Sequence, residues 1–108
     1  MALVKKKVSS IKWPVTCNLP SDGGKWVEEK FVAIFRKIGL DELTNLSEKG
    51  DPTLVKETIE GWEEYKDEEG NDIPFNQDEL NLLLDDPHVL RGAVTALVEM
   101  TQQAPEKN

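Results

Sequence analysis

A single cysteine and a single histidine leave this chain short of material for most site chemistries. Cys17 has no partner for an internal disulfide, and one Cys with one His cannot supply the roughly four ligands of a structural zinc site. Nucleophilic catalysis needs a hydroxyl or thiol beside a base. The one imidazole, His88, follows Asp86-Pro87, a helix start that places it in a first turn. The dipole there disfavours its protonated form, so His88 reads as a surface or capping residue. Cys17 reads as a small apolar residue on a strand face. No apolar run approaches the length of a membrane span, and residues 1–8 carry lysines without the apolar stretch of a secretion signal. A cytosolic protein is expected. No Gly-Lys-Ser/Thr follows Asp22-Gly23-Gly24, which excludes a phosphate loop. A calcium loop with Gly70 in sixth place puts Tyr65 where a carboxylate is required and Asn76 where glutamate is required. Catalytic residues, metals and cofactors are therefore not expected.

What is abundant is negative charge. Lys and Arg number 13 against 21 Asp and Glu, a net charge of -8, which argues against general nucleic-acid binding because that needs clustered cations to displace phosphate counterions. The charge is unevenly spread. Lys5, Lys6, Lys7 and Lys12 meet no acid in the first twelve residues, whereas residues 60–86 hold eleven acids and the single base Lys66. Both blocks favour solubility, and together they allow head-to-tail contact between copies, basic end to acidic middle. The length of 108 residues favours one domain, expected over residues 12–103, between a basic leader at 1–11 and a loose end at 104–108. A domain this small keeps much of its surface exposed, and a homo-oligomer is expected.

Period-two alternation of Trp13, Val15, Cys17 and Leu19 predicts a strand over residues 12–19. Pro14 pushes it toward a sheet edge, since proline supplies no ladder donor. Asp22-Gly23-Gly24 is a turn, and residues 31–38 form the second arm of a hairpin, although Trp26, Val27, Phe31, Ile34, Phe35 and Ile38 also suit a helical face. The remainder reads as helical. Asp41 can cap one helix that Gly50 closes, and Asp51-Pro52 opens another with Leu54, Val55, Thr58, Ile59 and Trp62 as its buried stripe. Asn76 with Glu79 resembles a capping box before Leu80, Leu82, Leu83 and Leu84. Asp86-Pro87 launches the longest helix, with Val89, Leu90, Ala93, Val94, Leu97 and Val98 on one face. The expected fold is α+β but mainly α, an N-terminal β-hairpin followed by about four helices.

Residues 61–75 place Trp62, Tyr65 and Phe75 around an acidic, turn-rich stretch. Large aromatics lower free energy chiefly when buried, so this is an anchored loop. Trp62 and Phe75 should tie it to the body, with Trp13 as a third structural anchor.

The order of these motifs resembles one family. Trp13-Pro14-Val15, Leu19-Pro20, Asp22-Gly23-Gly24, Phe31, Ala33 and Phe35-Arg36-Lys37-Ile38 are followed by Gly61-Trp62, Asp67 with Gly70, Ile73-Pro74-Phe75, Asn76 and a leucine-rich helix ending at Asp86-Pro87. Across about residues 12–98 the chain is similar to phage tail assembly chaperones of long-tailed phages. It departs from that pattern in its Lys5-Lys6-Lys7 leader and in Glu63-Glu64. The resemblance implies a non-enzymatic protein of the host cell cytoplasm, absent from the mature virion. It would bind the tape measure protein and keep it soluble while tail tube protein polymerises around it. A longer frameshifted form would contact the tail tube protein. Phe35, Tyr65, Leu90, Val94 and Leu97 are the candidate partner contacts. Two other classes are a structural tail or head-tail connector component and an acidic DNA mimic, though Lys5 and Lys12 work against mimicry.

Overall fold

Inward Trp13, Val15, Cys17 and Leu19 alternate with outward Pro14, Thr16 and Asn18, and that alternation builds the first strand of the computed structural model, which describes residues 2–5 and 7–102. Lys6 of the leader and the expected loose end at 104–108 lie outside the described residues. Strand β1 runs over Ser10–Ser21, taking in Ser10 and Ile11 from the expected leader. A 3-10 turn over Asp22–Gly24 reverses the chain, with Gly23 and Gly24 at φ 77° and 75°, a left-handed region that a Cβ disfavours. Strand β2, Lys25–Arg36, returns antiparallel with Phe31 opposite Val15 and Ala33 opposite Trp13. The strand alternative for the second arm holds, and the arm begins at Lys25 rather than Phe31.

Helix α1 spans Leu40–Glu48 and α2 spans Asp51–Thr58. Asp41 does not cap α1: Gly39 is the N-cap, without a side-chain bond, and Asp41 lies in the first turn near the dipole's positive end. Gly50, at φ 102°, makes the break between the two helices. The stripe expected to continue through Trp62 as helix instead ends at Thr58, whose hydroxyl donates to the Leu54 carbonyl at 2.7 Å. Ile59–Glu63 forms strand β3, which pairs antiparallel with β2 by setting Trp62 opposite Ala33.

This third strand overturns the expectation of a mainly α fold. Strand makes up 31% against 43% helix, in an α+β arrangement of a three-stranded antiparallel sheet ordered β1-β2-β3 and four helices among the described residues. Two helices start as their caps dictate. Asn76 accepts from the Glu79 amide at 2.8 Å to open α3, Gln77–Leu84, and Asp86 accepts from the His88 amide at 2.9 Å to open α4, Pro87–Thr101, the longest of the four.

The core lies between one sheet face and the helices, uniting Val15, Phe31, Phe35 and Ile59 with Leu54, Val55, Leu80, Ala93 and Leu97. Each Val, Leu, Ile or Phe side chain among them removed from water contributes about 1.5–3 kcal/mol. Arg36 fastens the end of β2 to both early helices. Its Nε donates to the Glu57 carbonyl at 2.6 Å, and its guanidinium grips the Glu42 carboxylate at 2.9 and 2.6 Å. That bond raises the Arg36 pKa and lowers that of Glu42.

Candidate binding surface

The acidic loop is held from within. Trp62 is 8% exposed and its indole Nε1 donates to the Ile73 carbonyl at 2.8 Å, closing the segment at its far end. Tyr65 and half-buried Phe75 meet the Trp62 ring edge-on at centroid distances of 5.1 and 4.7 Å, the T-shaped geometry that ring quadrupoles favour. Between these anchors the chain makes a small turn. Lys66 bridges Asp72 at 2.7 Å, and the Asp67 carboxylate accepts from the Glu69 and Asn71 amides at 2.9 and 3.0 Å. Asp67 and Asp72 are thus spent on local closure, and Glu63 reaches Lys12 of β1 at 2.7 Å. Among the described residues, no group of three or more His, Cys, Asp or Glu side chains converges as a metal site.

Cys17 and His88 occupy the environments their positions imply. Cys17 is buried in the sheet face, and burial, with help from Asp86 and Glu29, pushes its thiol up to about 11. A thiol held protonated is a poor nucleophile. His88 lies 3.3 Å from the Asp86 carboxylate through Nδ1 and meets the Trp26 ring edge-on at 5.6 Å.

Two hollows lie along α4. Gly92 lets that helix approach β1 so closely that a Cβ there would fall 2.5 Å from the Thr16 carbonyl oxygen. Beside this contact, Thr16, Asn18, Trp26, His88, Arg91 and Thr95 surround a hollow of about 440 Å³. A second hollow of about 290 Å³, holding Leu90 and Val94, shares Arg91 and Thr95 with the first. The two hollows adjoin at those residues. Leu90, Val94 and Val98 follow at i, i+4 and i+8 and so share a ridge, while Trp26, 64% exposed, rises at the hairpin end. An aromatic anchor, an aliphatic ridge and a guanidinium, that of Arg91, without an ion pair among the described residues suit docking of an amphipathic helix.

The structure divides the five candidate contacts. Phe35 and Leu97 are enclosed by the core at 0% and 1% exposure. Leu90 and Val94 are half-buried on the α4 surface, and Tyr65 is half-buried in a separate hollow, packing on Trp62 and Phe31. Of the anchors, Trp62 is buried and Trp13 and Phe75 are half-buried against the core. Trp26 and Val98 were not among the candidates. Register could have found Trp26, since it faces Pro20 and shares the outward side with Asn18 and Thr16.

No helix among the described residues is long and apolar enough to cross a membrane. Compared with family models, curated proteins and solved structures, the chain matches none of them.

Proposed function

We propose that this chain is a non-enzymatic phage tail assembly chaperone. It binds the tape measure protein in the host cell cytoplasm and keeps it soluble until tail tube protein replaces it. Its further partners are other copies of itself and, through a longer frameshifted form, the tail tube protein. The observation that carries the reading is the partly exposed apolar surface of an acidic domain, where half-buried Leu90 and Val94 and exposed Val98 run along α4 and Trp26 lies open at the adjoining hollow. Such a surface suits a long, helix-rich client, because each amphipathic turn can lay its apolar face along the ridge. The net charge of -8 keeps the resulting complex dispersed. Several weak contacts along one client give high avidity while allowing stepwise displacement.

Coexpression tests the proposal. Tape measure protein should move from the insoluble to the soluble fraction when this chain is present, and purified tails should lack the chain. Unchanged insolubility overturns the chaperone role, and stoichiometric retention in tails replaces it with a structural tail component.

A further inference from the structure

Strand β2 is flanked by β3 only from Val32 to Phe35. At Glu64, which takes φ 60°, the chain leaves the sheet, and from Lys25 to Phe31 no second strand pairs with β2 among the described residues. An unpaired edge presents amides and carbonyls ready to receive another strand. Against it lies a hollow of about 250 Å³ with Leu19, Phe31, Tyr65 and Val89 in its wall. Four charged residues border this groove, and two of them are already engaged: Lys30 pairs with Glu28 at 3.6 Å and Lys66 with Asp72 at 2.7 Å. Glu29 and Glu64 have no cationic partner among the described residues. Burial raises the pKa of both Cys17 and Tyr65 in the groove, and carboxylates add to it, Asp86 and Glu29 for Cys17 and Glu79 for Tyr65.

The leader has the complementary character. Leu3 is 99% exposed and Val4 is 64% exposed, both outside any helix or strand, and Lys5 and Lys7 follow without an ion pair among the described residues. We infer that the β2 edge receives the leader of a second copy as an added strand, with Leu3 entering the hollow and Lys5 and Lys7, on the same strand face, meeting Glu29 and Glu64. The leader leaves the hairpin at its base, where the Ser9 carbonyl accepts from Lys37 at 2.9 Å, and β1 climbs from there toward the groove. A chain's own leader reaches the groove only by doubling back, whereas a neighbour's leader approaches it freely. Each copy then offers one leader and one groove, a heterologous contact that propagates into a ring or an open filament. This builds on the self-association proposed above and is independent of the client's identity.

Charge reversal in the full chain tests it by sedimentation at low salt. Lys5→Glu with Lys7→Glu, and separately Glu29→Lys with Glu64→Lys, should each weaken association about tenfold or more. Mixing the two variants should restore it, because each then supplies the other's complement. All four positions are exposed, and circular dichroism checks that both variants fold. Wild-type strength in either variant, or no recovery on mixing, overturns the leader-groove contact while leaving self-association through another surface. A wild type that stays monomeric overturns both. Tape measure solubility, scored separately, reports on the chaperone reading alone.

Discussion

Gly92 and Thr16 are in backbone contact, because the missing side chain brings α4 within reach of the β1 carbonyl that a Cβ would strike at 2.5 Å. The obstacle is backbone, so no rotamer change relieves it. Gly92→Ala should therefore push α4 outward and destabilise the fold by about 1–3 kcal/mol despite alanine's better helix propensity. Urea denaturation measures the loss, and unchanged stability would mean that the helix shifts without strain.

Trp62 stands at the centre of the aromatic cluster, so Trp62→Ala should cost about 3–5 kcal/mol. Trp62→Phe keeps much of the packing and removes the bond to Ile73, for about 1–3 kcal/mol. A melting series of the two variants separates packing from the hydrogen bond, and equal losses would refute the separation.

Trp26 should behave in the opposite way. With its ring largely in solvent, Trp26→Ala should change stability by about 0.5 kcal/mol or less. Binding to tape measure protein should weaken by about 2 kcal/mol or more if the ring anchors the proposed contact. Calorimetry on the same samples reads both quantities, and an unchanged affinity would remove Trp26 from the binding surface.

Cys17 gives a pH signature. Its folded-state pKa of about 11 lies above the ordinary thiol range, so the folded chain holds this proton more tightly than the unfolded chain does. The contribution is fully present below about pH 8.5, where both states are protonated, and is lost as pH rises toward 11. Cys17→Ala should flatten stability against pH over that window. Native Cys17 should react slowly with a thiol reagent at pH 8 and rapidly in urea.

Local chemistry made much of the fold legible before the structure. The Gly-Gly turn, the Asn76 and Asp86 caps and the proline after each aspartate act through their immediate neighbours, and the structure places turns and helix starts there. Strand β3 was hidden because Ile59 and Trp62 extend the apolar stripe of Leu54 and Val55 at helical spacing. What makes them a strand is the distant edge of β2, so tertiary pairing overrides local propensity. The candidate surface was less legible for a related reason: Phe35, Leu97, Leu90 and Val94 are alike as residue types, and only packing separates enclosed from open.

The uneven flanking of β2 also divides the molecule dynamically. From Val32 to Phe35 the strand has neighbours on both sides, so its amides should exchange with solvent only when the whole domain opens. From Lys25 to Lys30 it belongs to an exposed two-stranded ribbon, whose amides can exchange through local fraying. Trp26 rides on that ribbon. Its end can fray and re-form while the core stays closed, so motion around Trp26 need not draw on the stability of the fold.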